Sequence, residues 1–353
     1  MKSFAARFPD ATLPRTARIA ALPTPLERFE IDTNADVWVK RDDLTSARYG
    51  GNKVRKLDLL LGEALGSHRK SVLTFGAYGS NHALATAVHA RALGMTPHAV
   101  LSPQEPGPFA PATLLAHAGL GTVIHLVDGW DGRREAVLAL REIAEADGVD
   151  PSVIPMGGTN ELGALGYVNA ALEILEQSDE APDVVYVAGG TLGTAIGLAA
   201  GFALAGEATR VETIRVTPES VGSENIAAEV GAALAHHLHK MGGGLPYLAL
   251  ADLNYELRHD WFEPGYGVVT PETTRAVAVA KEAGIKLETT YTGKALAALM
   301  ADAKAGKLAG KRVVFIDTYN SAPMPTPGPI EALPETLQDY IAQCRAMYRE
   351  GTL

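Results

Sequence analysis

Lys53 lies in the stretch VWVKRDDLTSARYGGNKVRKL (residues 37–57), directly after Gly50-Gly51-Asn52 and before a helical pattern that opens at Val54. Paired glycines let the backbone approach a ligand closely, and the start of a helix favours anions. The neighbouring cations Arg55 and Lys56 are expected to lower the Lys53 pKa toward that of a neutral, nucleophilic amine. Such a lysine can form an imine with a carbonyl compound. The same tetrapeptide would equally suit the basic first turn of a surface helix, so the chemistry depends on what accompanies it.

Three further groups could accompany it. The segment 184–201 reads as a strand, a turn containing Gly190, Thr191, Leu192, Gly193 and Thr194, and an apolar helix. Turn amides aimed by a helix dipole make a cradle for a phosphate ester. No Gly-Lys-Ser/Thr follows and no suitably spaced acid, which excludes a Walker loop and the dinucleotide fingerprint; the alternative is a glycine turn needed only for packing. At FGAYGSNH (75–82), Ser80, Asn81 and the helix start could receive a carboxylate or a ring oxygen, although Ser-Asn also serves as a plain helix cap. Tyr266 and Tyr291 follow glycine-associated turns, where a phenol near a cation can have a lowered pKa and move a proton, or can simply pack.

Other reactive residue types carry less. His236 and His239 are spaced for one helix face but lack a third ligand, so a solvated face and no metal are expected. Asp42 and Asp43 are assigned to turn and capping roles. Cys344 is the single cysteine; nothing near it in sequence supplies a base, and it is read as a packing residue.

These side chains must be held by a scaffold. The chain has 353 residues, 47% hydrophobic and 20% charged, for which two domains are the better expectation. A net charge of -10 and a pI near 5.5 argue against nucleic acid or an anionic membrane as principal partner. No leader or membrane span is expected, and the lone cysteine suits a reducing cytoplasm. Short apolar runs alternate with helical patterns: strands at 71–75, 99–101, 122–126, 184–188, 213–216 and 313–316, with helices between them. This alternation predicts an α/β chain of open, mostly parallel twisted sheets flanked by helices. A compact subdomain is expected to close near residues 155–158. Thr270-Pro271 predicts a helix over 271–283, while residues 245–266, irregular and aromatic, are expected to form a lid or pocket wall.

In this order KRDDL (40–44), GGNKVRKL (50–57), GSNH (79–82), GTxxGLAAG (193–201) and YTGKA (291–295) resemble the pyridoxal-phosphate-dependent family of D-cysteine desulfhydrase and 1-aminocyclopropane-1-carboxylate deaminase, of the tryptophan-synthase-β-like fold type II. The likeness runs over residues 22–318. It implies a large cofactor domain (1–54 and 159–353), a small domain (55–158) and a homodimer. Lys53 would form the internal aldimine with pyridoxal 5'-phosphate. Lys56 with Gly190, Thr191, Leu192, Gly193 and Thr194 would hold the phosphate, Asn81 the 3-oxygen, and Thr318 would sit near the pyridine nitrogen. Ser80, Tyr266 and Tyr291 would be catalytic, with Ser80, Asn81, His82, Tyr78 and Tyr319 facing an amino-acid substrate. The reaction implied is α-proton removal by the released Lys53 amine, loss of a β-substituent, and formation of a 2-oxo acid and ammonia.

Thr292 and Thr318 resemble the desulfhydrase side of the family, whose ring-opening members carry glutamate and leucine there. Elimination from a D-amino acid such as D-cysteine is therefore ranked first. Tyr78, and Tyr319-Asn320-Ser321, depart from the family pattern and open the choice of leaving group to cysteate, serine, chloroalanine or a larger β-substituted amino acid. The alternatives are an aminocyclopropanecarboxylate deaminase, a racemase, a catalytically silent cofactor-binding or metabolite-sensing protein, and, more remotely, a nucleotide-binding enzyme.

Overall fold

A computed structural model describes residues 1–127 and 132–348. In chain order the elements are α1 (Lys2–Arg7), β1 (Leu26–Arg28), β2 (Asp36–Lys40), α2 (Asn52–Gly66), β3 (Ser71–Ala77), α3 (Asn81–Ala92), β4 (Thr96–Ser102), α4 (Ala110–Leu120), β5 (Val123–Leu126), α5 (Arg133–Asp147) and β6 (Ser152–Ile154). They continue with α6 (Glu161–Gln177), β7 (Val184–Gly189), α7 (Gly193–Ala205), β8 (Arg210–Arg215), α8 (Glu224–Met241), β9 (Tyr255–Arg258), α9 (Pro271–Glu282), α10 (Thr292–Lys304), β10 (Arg312–Ile316) and α11 (Glu335–Met347).

The strands form two sheets. One has the order β1-β2-β10-β7-β8-β9, the other β5-β4-β3-β6. Apart from the antiparallel β1-β2 pair, every pairing is parallel. A parallel sheet needs helices on both faces, and the central strand β7, VVYVAG, is buried at every position. Helix α7 is accordingly apolar almost all round and buried along nearly its whole length. It lies against α6 because Gly197 and Gly201 carry no side chain: a Cβ at Gly197 would fall 2.3 Å from the Ala164 carbonyl oxygen, and one at Gly201 2.6 Å from that of Val168. The glycines of GTxxGLAAG beyond Gly193 thus permit close helix packing.

Helix α11, expected with the large domain, packs instead against the smaller sheet's helices. Leu337, Tyr340, Ile341 and Cys344 are buried among Ala99, Leu101, Ala110 and Leu114. Its apolar stripe needs a face, and α4 supplies one. Cys344 is buried and free, as its packing role requires. The strands missed in sequence are short edge segments, namely β1, β6 and β9. β9 falls in the stretch read as irregular, where Tyr-Glu-Leu-Arg buries only Leu257 and gives no apolar run to recognise.

A buried polar cluster fastens α2 to β2 and α6. Arg55 donates to both Asp42 oxygens, at 2.8 and 2.7 Å, and to Glu173 at 3.1 and 3.0 Å. Lys40 donates to Glu173 at 2.6 Å, and Tyr167 to Asp42 at 2.7 Å. Asp42 was expected to cap a turn. It does lie in the short turn Asp42–Leu44, but its carboxylate is committed to this cluster. Asp43 pairs with Arg41 at 2.9 and 2.8 Å and accepts from Ser321 at 2.5 Å.

Candidate active site

A cavity of about 1130 Å³ opens at the C-terminal ends of β3, β7 and β10, so both sheets contribute to it. The crevice beyond the strand ends is where open α/β sheets bind ligands.

Lys53 is the second residue of α2. The glycines before it are required by space and by dihedral: a Cβ at Gly50 would fall 2.0 Å from the Asp43 oxygen, and Gly51, at φ +93°, would place one 2.8 Å from the Thr318 oxygen. The Asn52 amide donates to the Thr318 oxygen at 3.1 Å, and the Gly50 amide to Asn320 Oδ1 at 2.6 Å. Asn320 and Ser321 therefore brace the lysine turn.

The Lys53 pKa falls to about 8, and the cause is burial. This corrects the expectation from sequence, because Arg55 is consumed by Asp42 and Glu173. A lysine with that pKa is mostly protonated at pH 7, and only the neutral amine attacks an aldehyde. The rate at which apoprotein develops the yellow band with pyridoxal phosphate should rise about fivefold from pH 7 to pH 8 and flatten above about pH 9. Stopped-flow absorbance measures this; a rate rising only toward pH 10 would mean an unperturbed amine.

The candidate phosphate cradle adjoins Lys53. Lys56 is 1% exposed, and its ammonium donates to the Gly157 oxygen and to Thr159 Oγ1, both at 3.1 Å. Burial first, then the Lys53 charge, hold its pKa well below the ordinary lysine value. Among the described residues no acid pairs with it, so a bound anion would supply the missing counter-charge. Thr159 and Thr191 hydroxyls meet at 2.6 Å. Leu192 turns the chain into α7 in the left-handed region, φ +63°, and no side chain caps the helix. A non-glycine residue held there costs about 1–2 kcal/mol, spent on aiming the turn at the cavity. A Cβ at Gly193 would fall 2.7 Å from Thr159 Oγ1 and 3.1 Å from Lys56 Nζ, so that glycine keeps the cradle open. Asn52 links the two halves by donating to Thr194 Oγ1 at 3.1 Å.

From the smaller sheet, Ser80, Asn81 and His82 reach the cavity. Ser80 is a true helix cap, accepting from the Ala83 amide at 3.2 Å. It leans so close over Gly76 that a Cβ there would lie 2.5 Å from the serine. His82 is 4% exposed with Nε2 2.9 Å from Thr74 Oγ1. Burial, aided by Lys53 and Lys56, keeps its pKa well below the usual histidine value. Tyr49, absent from the sequence reading, donates its hydroxyl to Asn81 Oδ1 at 3.2 Å. Tyr78 does not line the cavity. Its ring packs edge-on against Tyr340, centroids 5.0 Å apart, under α11; the bulk expected beside the substrate is spent on the core.

Tyr266 and Tyr291 converge, hydroxyl oxygens 2.9 Å apart with rings edge-on. Both pKa values are raised, chiefly by burial, the reverse of the lowering expected, so at neutral pH both phenols are protonated. Thr318 and Tyr319 also line the cavity. Thr292 does not. Its hydroxyl donates to Glu288 Oε1 at 3.1 Å, and the same carboxylate takes the amides of Thr290, Tyr291 and Thr292 at 2.7, 2.8 and 2.8 Å. Glu288, a cavity residue, was missed in the sequence; the available signal was an acid just ahead of a helix start.

An open, mostly parallel α/β fold with a ligand-sized cavity at its strand ends, lined by Lys53, is the setting of a cofactor enzyme. The chain belongs to the pyridoxal-phosphate-dependent enzyme family, whose model matches residues 18–318, and it uses pyridoxal phosphate. It is similar to a solved ACC deaminase homologue, with 30% identity and a TM-score of 0.76, covering 97% of this chain and 99% of that one. Threonine deaminase isoform 2 from Solanum lycopersicum (16% identity, TM-score 0.56, 93% and 85% covered) and a hydrogen sulfide-producing enzyme from Fusobacterium nucleatum (18%, 0.56, 86% and 94%) share the fold. Among the described residues no helix is long and apolar enough to cross a membrane, and no group of three or more His, Cys, Asp or Glu could hold a metal.

Proposed function

We propose that this enzyme eliminates the β-substituent of a small D-amino acid, with D-cysteine as prototype, releasing a 2-oxo acid and ammonia. The reading rests on one observation: Lys53, whose pKa is lowered to about 8, shares its cavity with two tyrosines whose burial keeps them protonated. That is a base and an acid in one site. Bound pyridoxal phosphate supplies an electron sink for charge developing at the substrate α-carbon. Lys53 would anchor it, and the free Lys53 amine would be the base that takes the α-proton. Lys56 and the 190–194 turn would hold the phosphate, Asn81 would donate to the ring oxygen, and Ser80 with the start of α3 would receive the substrate carboxylate. The Tyr266 and Tyr291 pair hands a proton to the leaving group.

A second reading, ring opening of 1-aminocyclopropane-1-carboxylate, is favoured by the likeness to the ACC deaminase homologue. Against it, the one carboxylate beside Tyr291 among the described residues is that of Glu288, and its oxygens are occupied by three amides and Thr292. The experiment is 2-oxo acid release by cofactor-loaded protein from D-cysteine, L-cysteine and the cyclopropane substrate. Release from D-cysteine, at least about tenfold faster than from either other compound in kcat/KM, is expected. Preference for the cyclopropane would replace this reading with the second.

A further inference from the structure

Lys294, the lysine of YTGKA, takes no part in the chemistry above and is nonetheless 1% exposed. Its ammonium donates to the carbonyl oxygens of Phe262, at 2.8 Å, and Gly265, at 3.1 Å. It also stands 5.7 Å from the centre of the Phe262 ring, which Arg215 covers at 4.3 Å. Burying an ammonium is costly unless it is hydrogen-bonded, and these carbonyls are what repays the cost. They belong to the turn that immediately precedes Tyr266. Tyr291, meanwhile, is the N-terminal cap of α10, and Lys294 follows three residues later on the same side of that helix. One helix therefore presents one phenol directly and grips the loop that presents the other.

We propose that Lys294 is a positioning residue: it holds the 262–265 turn against α10 so that the Tyr266 phenol meets that of Tyr291 inside the cavity. The turn has few other fastenings, the Gly265 amide to the Phe262 oxygen at 3.0 Å and the Phe262 amide to the His259 oxygen at 3.2 Å. Neither bond ties it to α10. The 2.9 Å approach of the two hydroxyls then depends on a cation rather than on packing alone, and it acts on the proton donor without touching substrate.

The inference uses the proposed elimination only for its kinetic arm. Lys294→Met, Tyr266→Phe and the double variant are compared as cofactor-loaded proteins. Displacing a catalytic group by an ångström costs about 10²-fold, so Lys294→Met should lower kcat on D-cysteine by about that factor, with KM little changed. In the Tyr266→Phe background the same change should cost less than about threefold, because the group it positions has already been removed. Lys294→Arg, which keeps a cationic donor, should recover part of the loss. Amide hydrogen exchange supplies a readout without turnover: residues 262–267 should exchange faster in Lys294→Met while β7 and β10 stay protected. Losses that multiply in the double variant, or unchanged exchange in the 262–267 turn, would overturn the proposal. Should Lys294→Met fail to fold, Lys294→Gln carries the same comparisons, with smaller losses expected because its shorter, neutral amide can still donate to a carbonyl of the turn. Should D-cysteine not be turned over at all, the functional reading falls and exchange alone decides whether the clamp exists.

Discussion

Lys53→Ala is expected to abolish the yellow absorption band of the purified protein and to lower 2-oxo acid release by at least about 10⁴-fold, since in the proposed reaction one substitution removes both the covalent anchor and the base. The rest of the site should survive. Lys56, Thr159, Thr191 and the uncapped start of α7 form a cradle that does not depend on the Lys53 amine. The variant should therefore still bind pyridoxal phosphate, but exchangeably, losing it on gel filtration. Circular dichroism should show an unchanged fold, because among the described residues Lys53 donates no hydrogen bond that holds α2 in place, whereas Gly50, Gly51, Asn52 and Arg55 do that work. A band that persists in Lys53→Ala through gel filtration would place the anchor elsewhere.

The second large effect falls on stability. Arg55 is the centre of the buried cluster and satisfies two carboxylates, Asp42 and Glu173. Those groups keep lowered pKa values against the opposing effect of burial, with the Arg55 charge the leading favourable influence on each. Arg55→Met removes the cation, keeps the volume, and strands two buried carboxylates with Lys40 as the remaining cation. Breaking a buried pair in this way costs about 3–5 kcal/mol, a large share of the roughly 5–15 kcal/mol that holds a domain folded. Denaturant unfolding of the cofactor-free protein measures it. The loss should shrink as the pH falls from 7, because burial without the Arg55 charge raises the pKa of the stranded carboxylates and they take up protons before those of the intact cluster do; a loss under about 1 kcal/mol at pH 7 would mean that the cluster contributes little. Because Arg55 lies two residues from Lys53, even a folded Arg55→Met protein should anchor the cofactor less firmly.

Much of the site was legible because its residues advertise constraints that are local in sequence. Gly50 and Gly51 are adjacent, and the structure leaves no room for a Cβ at either. Thr270 and Pro271 announce the start of α9, where Thr270 does cap the Thr273 amide. The alternation of strands and helices gave the α/β class. What stayed hidden depends on partners distant in the chain. Nothing near Tyr78 signals that its ring will meet Tyr340. Arg55 reads as a basic neighbour of Lys53 until Glu173 is brought beside it. The pKa values of Tyr266 and Tyr291 move up rather than down because burial, which no local motif encodes, outweighs any cation within reach. Glu288 went unread in the sequence, and its work is done on the amides of the next turn.

The placement of α11 bears on synthesis. Strands β3 to β6 are translated early, yet one flank of their helical layer, around Ala110 and Leu114, is covered by Leu337, Tyr340 and Ile341 from far downstream. A nascent chain leaving the ribosome therefore exposes that apolar flank until the large sheet has been made and α11 has emerged. Ribosome-arrested intermediates ending before residue 333 should attract chaperones at this surface, and the lobe carrying Ser80 and Asn81 gains its finished shape only after the lysine and its cradle are already in place.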